Sequence, residues 1–365
     1  MKAESVIAKI LVFTCFLLLF PSILIAVDAR KVSVVQVKEI LEPPDLQTID
    51  SFVEEGIREM LDAEDFASIS TIREGLINNS NSKRASSAPQ YRNQFIKSVS
   101  QYSADALKSA QKFNPERRFK FTVNLLMLIE GLHDIQLAEL ALNRLDDSNG
   151  AVRYWALKCF TSPEIIKQLN DGAANSALVA QLFTRLNKLV VNCDDAMLVL
   201  ISNFSAELQS GESAQLLIKI ADNRLQEYIK WQVTNEMVDS AVLKALSVKI
   251  MTKQGLPDTA RQFAQLYSYV CQRYLKGNNL SEFHKQKLIS VMVDVEDKCI
   301  SKLLGRQSKI RDAIAKRDNQ ALASEVDSIL GGLNVEGKLP AKFQFMYLSP
   351  EGKETNAPRV LPDEL

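Results

Sequence analysis

Between residues 91 and 331 apolar side chains recur three and four positions apart, and this spacing predicts one helix after another. Val238, Ala241, Val242, Ala245 and Leu246 form one such stripe, and Leu288, Val291, Met292, Val295 and Cys299 form a second. The punctuation agrees. Asn114-Pro115-Glu116 and Ser162-Pro163-Glu164 read as helix starts, because a polar cap, a proline with preset φ and an acid each suit a first turn. Gly131-Leu132 reads as a left-handed stop, with Asp134 capping the next helix. A connection that short predicts antiparallel neighbours. The fold class expected is therefore all-α, an array of antiparallel helix pairs of about a dozen helices, without a strand before residue 340.

The flanks differ from this body. Residues 30–77 predict an N-terminal helical segment interrupted at Pro43-Pro44, with Ile49, Phe52, Val53, Ile57, Met60 and Leu61 on one face. Residues 78–90 are rich in Ser and Asn and predict a polar linker. After Gly331-Gly332 the helical pattern stops, and residues 332–365 predict an extended tail. Phe343, Phe345 and Tyr347 would share one side of a strand flanked by Pro340 and Pro350, either laid over the last helices or acting as a docking arm for a partner's sheet edge.

The opening residues set the compartment. Lys2 and Lys9 precede an apolar run from Ile10 to Val27 that contains Pro21 and ends in Val27-Asp28-Ala29. This predicts a signal peptide over residues 1–29, cleaved between Ala29 and Arg30. Retention as an N-terminal membrane anchor is the alternative. The expected location is exported: periplasm, cell envelope or secreted. Pro362-Asp363-Glu364-Leu365 departs from the retrieval signal of the endoplasmic reticulum at its first position, and a place in that lumen is the lesser alternative. Sequons at Asn78, Asn203 and Asn279 matter only in a eukaryotic secretory route.

Charge then narrows the partners. Basic and acidic side chains balance at 44 each, so the chain has no global field for nucleic acid. The local cluster Lys108, Lys112, Arg117, Arg118 and Lys120, interleaved with Phe113, Phe119 and Phe121, reads as a solvated helix face over core aromatics. Chemistry is equally sparse. The only histidines are His133 and His284. Glu130 and His133 have the spacing of half a di-iron site, but no second such pair exists, since Ser281 precedes His284 by three. Cys159, Cys193, Cys271 and Cys299 lack metal or redox spacing and read as buried thiols. The acid pairs Asp146-Asp147 and Asp194-Asp195 read as caps. No cofactor, metal or catalytic residue is expected.

One segment carries a resemblance. Leu137 to Phe160 resembles a single HEAT-type repeat, with Leu140 and Leu145 on a first helix, Asp147 in the turn, and Val152, Arg153, Ala156 and Phe160 on a second. Trp155 and Cys159 fall on that second stripe, and Asp147 would accept from Arg153 or from a neighbouring pair's arginine. The resemblance, over about residues 134–161, implies a curved right-handed α-solenoid that binds macromolecules on an extended surface. Together these readings predict a non-catalytic exported scaffold or adaptor with a protein partner. The alternative is an α/α-toroid carbohydrate enzyme, which would need a deep pocket with aromatic platforms.

Overall fold

The computed structural model describes residues 29–171, 175–305, 307 and 309–364. Of the expected leader over residues 1–29, residues 1–28 lie outside them, while Ala29 and Arg30 open the first described helix. Among the described residues no helix is long and apolar enough to cross a membrane. The chain is all-α apart from a two-stranded hairpin near its end, and it divides into two compact units, Met1–Ala141 and Leu142–Leu365.

The first unit contains α1 (Ala29–Val35), α2 (Pro43–Asp62), α3 (Phe66–Asn78), α4 (Ala88–Ala110) and α5 (Pro115–Leu132). A 3₁₀ turn (Ile135–Leu137) and α6 (Ala138–Leu142) follow, and the division between units falls within α6. Helix α2 packs on α3 and α4, and α5 packs on α3 and α4, so alternate helices form two layers. Pro43-Pro44 begins α2 rather than interrupting a helix, because prolines at the first positions cost no backbone bond. The predicted stripe is buried from Ile49 to Met60, with Leu61 half-buried. Gly56 lets α3 approach closely: a Cβ there would stand 2.7 Å from Leu76 Cδ2.

Residues 78–90, expected as a linker, are pinned within this unit. Lys83 N donates to Gln36 O (2.8 Å), Ser87 Oγ to Lys38 O (2.7 Å) and Tyr91 Oη to Asn79 O (2.8 Å). Their small polar side chains satisfy the backbone around α1, which composition alone does not reveal. The helix stop also moves by two residues. Helix α5 runs through Gly131 to Leu132, and His133 takes the left-handed position at φ 50°. Gly131 instead faces Ile77, which a Cβ would meet at 2.7 Å.

The second unit continues with α7 (Gly150–Lys158), α8 (Pro163–Asn170), α9 (Ser176–Leu189), α10 (Asp195–Glu207), α11 (Gly211–Ile229), α12 (Met237–Met251), α13 (Asp258–Lys276) and α14 (Glu282–Val295). Helices α10, α12 and α14 pack in sequence along one layer, and α9, α11 and α13 along the other. Helix α12 lies between neighbours and is buried on nearly every side. Beyond α14 come a single π turn (Glu296–Ile300), α15 (Ser301–Leu304), α16 (Ile310–Ala315), α17 (Asn319–Leu330) and α18 (Lys338–Phe343). The helices exceed the dozen expected because several are too short to show a period. Buried Glu296 caps α16 at a distance, accepting from Ile310 N (3.1 Å) and Arg311 N (2.9 Å).

The HEAT-like segment becomes the short helices α6 and α7. Leu145, Val152, Ala156 and Phe160 are buried, whereas Leu140 and Trp155 are half-buried. Asp147 accepts from Asn149 N (2.9 Å) in a local turn, and Arg153 donates instead to the carbonyls of Asp147 (2.8 Å) and Ser148 (3.0 Å). The arginine that reaches back from a later helix is Arg185 of α9, and it pairs with Asp146. Asn149, not either aspartate, caps α7.

The tail is not uniformly extended. Its first part is α18, ended by Gln344 in the left-handed region at φ 53°. Strands β1 (Tyr347–Leu348) and β2 (Glu354–Thr355) then pair antiparallel. Phe345 and Tyr347 are buried, and the Tyr347 hydroxyl donates to Leu330 O at 2.6 Å. Phe343 alone of the three aromatics stays half-exposed, because the left-handed residue turns the chain between it and the others. Gly331, at φ 103°, sits under the hairpin so closely that a Cβ would fall 2.3 Å from Asn356 O.

Candidate functional site

The turn joining α11 to α12 is built on buried ions. Helix α11 ends with Trp231 N donating to Tyr228 O (2.9 Å) and Gln232 N to Glu227 O (2.9 Å), which places Trp231 left-handed at φ 56°. Glycine usually occupies that position. Beneath the turn, fully buried Asp239 accepts from Arg224 Nε (2.7 Å), Arg224 Nη2 (3.1 Å) and the Tyr228 hydroxyl (2.7 Å). Burial alone would lower the Arg224 pKa, but Asp239 and Glu227 reverse that and raise it. The Tyr228 phenol is pushed well up by burial and by the same carboxylate. Glu236, also fully buried, lies 2.8 Å from His284 Nδ1 and 3.6 Å from Arg273 Nη2. Arg273 donates to Val233 O (3.0 Å) and lies 5.7 Å over the Trp231 ring. The turn is thus tied to α13 and α14 by charge-assisted bonds.

Beside that turn, one face of α13 holds the segment that follows β2. Residues 358–364 adopt no helix or strand and are gripped through their backbone. Gln265 accepts from Arg359 N (2.9 Å) and donates to Arg359 O (3.3 Å). Seven positions on, Gln272 donates to Arg359 O (3.0 Å) and accepts from Leu361 N (2.6 Å). Lys276 donates to Leu361 O (2.8 Å), and the Trp231 indole donates to Pro362 O (3.0 Å). Of the side chains in the segment, Leu361 is fully buried while Val360 is 71% exposed. The arrangement holds an extended backbone and one apolar side chain of the chain's own tail.

A separate cleft of about 820 Å³ opens between α8, α10 and α12. Lys249 lies buried at its edge, donating to Leu208 O and to Gln254 Oε1 (2.7 Å), and burial lowers its pKa to about 8. Lys244 pairs with Asp294, which Lys298 (2.7 Å) and the Ser240 hydroxyl (2.5 Å) also reach. Burial would raise Asp294, but these bonds outweigh it and hold its carboxyl at about 2. The described residues lining the cleft include no Trp, Tyr or Phe. The sequon residue Asn203 lies on its wall, but Ser205 is fully buried.

The sequence-predicted positions are scattered. The HEAT-like residues are structural, and Phe345 and Tyr347 are core. Phe343 lines a different groove of about 610 Å³ with Met251, Leu256 and Lys302. The basic cluster near α5 is engaged locally: Arg117 caps Leu61 O and Asp62 O (3.0 Å each) and stacks 4.1 Å over Phe113, while Lys120 pairs with Glu116 (2.7 Å). The four cysteines among the described residues are free thiols, with Cys159, Cys271 and Cys299 buried. Burial pushes the Cys271 thiol up to about 12, as it does Cys193, so neither is an activated nucleophile. Among the described residues no cluster of His, Cys, Asp and Glu could hold a metal ion. Sequence reasoning missed Gln265, Gln272 and Trp231. The one signal was the seven-residue spacing of the two glutamines on a single helix face. No family model matches the chain, and no curated protein or solved structure is similar to it.

Proposed function

We propose that this protein is an exported, non-catalytic scaffold that binds other proteins, acting in the periplasm or an equivalent envelope space. One observation carries the reading: a face of the helical array, formed by Gln265, Gln272, Lys276 and Trp231, holds an extended peptide segment through backbone hydrogen bonds. Helix pairs stacked in two layers expose long faces of this kind, which suits binding more than chemistry. The buried ions support the reading as well, since Arg224 and Asp239 pair with each other and Glu236 lies between His284 and Arg273, all beneath the turn that carries Trp231. An α/α-toroid carbohydrate enzyme would place aromatic platforms in its main cleft, and the cleft beside Lys249 has none among its described lining residues.

The test is cross-linking of the tagged protein in its native host, followed by mass spectrometry. A reproducible protein partner is the expected result. Recovery of the protein alone, or with oligosaccharide only, overturns the scaffold reading.

A further inference from the structure

The face of α13 holds its segment chiefly through the segment's backbone. Five of its contacts, from Gln265, Gln272 and Lys276, go to main-chain N–H or C=O groups of Arg359 and Leu361, and Trp231 adds one to Pro362 O. Only Leu361 contributes a fully buried side chain. Main-chain bonds give affinity to any extended peptide, and the pocket for one alternate side chain gives selectivity. Pro358 and Pro362 favour the extended form and lower the ordering entropy of the bound segment.

The holding side chains are themselves positioned in advance. Gln265 is 3% exposed, Arg273 lies 5.7 Å over the Trp231 ring, and buried Glu236 lies beside Arg273. Trp231 stands in a left-handed position that glycine would adopt without strain. The segment, by contrast, follows Asn356, whose carbonyl lies close over Gly331, and has no regular structure over residues 358–364. A peptide offering the same backbone and one apolar side chain can replace it without disturbing the helices.

We infer that this face is a peptide-binding site occupied in cis by residues 359–362, and that it takes, in trans, an extended peptide bearing Leu followed by Pro and an acidic residue. The self-contact then competes with the partner. Lys276, which lies 3.1 Å from Asp363, supplies the preference for the acid. This inference rests on the protein-binding reading above and specifies its site and ligand class.

The probe is a fluorescein-labelled peptide with the sequence of residues 357–364, titrated by anisotropy into the full chain and into its Leu361→Asp variant. Leu361→Asp removes the buried anchor and frees the face, so it is expected to bind the probe at least tenfold more tightly than the unaltered chain. Adding Trp231→Gly or Gln272→Ala to that variant is expected to lower binding tenfold or more with unchanged helical circular dichroism. A folded Leu361→Asp chain that ignores the probe overturns the inference, and so does equal binding by both chains. Should Leu361→Asp fail to fold, hydrogen exchange of the unaltered chain decides. Excess probe is expected to expose the amides of Arg359 and Leu361, and unchanged protection overturns the proposal. The Trp231→Gly chain also separates the two readings in the cross-linking experiment. A partner captured equally with and without Trp231 leaves the scaffold standing and removes this site.

Discussion

The first unit and the second are built from the same stacked helices but hold them in different ways. The seam between α2 and α4 buries Phe52, Val53, Ile57, Tyr91, Phe95 and Val99, and its polar contacts, such as Tyr102 to Asp50 (2.7 Å), stay at a half-buried edge. Between α11, α12 and α13 the interior instead contains Arg224, Asp239, Glu236 and Arg273, each at most 4% exposed. Apolar seams tolerate changes of shape that conserve volume, whereas a buried ion must find its counter-ion at one distance and angle. The ions therefore add little net stability but specify geometry, and the geometry they specify is the Trp231 turn beside the peptide-holding face.

That contrast can be broken most severely at Asp239. Asp239→Ala strands Arg224 and the Tyr228 hydroxyl in the interior, with an expected loss of about 3–5 kcal/mol in urea unfolding. Replacing Arg224 by Met and Asp239 by Leu together is expected to recover part of it, since neither fully buried charge remains, while half-exposed Glu227 and the Tyr228 hydroxyl each lose a partner. Recovery of stability without recovery of probe binding would show that the pair positions the turn. In the first unit, Ile57→Ala is expected to cost about 2–4 kcal/mol through a cavity alone, without any effect on probe binding.

Two smaller effects are pH-dependent and lie in the second unit. Asp294 is held at about 2, below its ordinary 3.8, so its contribution is present above pH 3.8 and is lost as the pH falls through 2. Allowing for partial solvent screening, Asp294→Asn is expected to cost about 1–2 kcal/mol at neutral pH and almost nothing at the acid end, read from denaturation midpoints against pH. Lys249 has the opposite sign. Its pKa falls from 10.5 to about 8 on burial, so between those values the unfolded chain binds more protons and stability rises with pH. Lys249→Met is expected to flatten that rise, and one lysine ε-carbon resonance titrating near pH 8 in the unaltered chain identifies the group. The smallest effect is at Lys108, whose exposed pair with Asp105 is expected to contribute less than about 1 kcal/mol when cut by Lys108→Ala.

Much of the fold was legible because helix signals are local. Asn114 accepts from Arg117 N (2.9 Å), Ser162 from Ile165 N (3.3 Å) and Asp194 from Met197 N (2.9 Å), each at the start that its neighbours announced. Reading failed where a residue's role depends on something distant. The Ser- and Asn-rich stretch at 78–90 is ordered by the backbone around α1, some forty-five residues away. Phe343, Phe345 and Tyr347 alternate like a strand, yet one left-handed residue at Gln344 separates them. The peptide-holding face was invisible for the same reason: Gln265 and Arg359 are ninety-four positions apart.

By itself, then, the sequence determined that the chain is an array of helices and where most of them begin, because caps and apolar periods act within a few residues. It also showed that the cysteines lack metal or redox spacing and that Glu130 and His133 have no second such pair. Which ions meet in the interior, which aromatic residues become core, and which face of α13 receives the tail were decided by tertiary structure alone. Those pairings depend on contacts that exist only after the two layers have closed, and composition does not encode their distances.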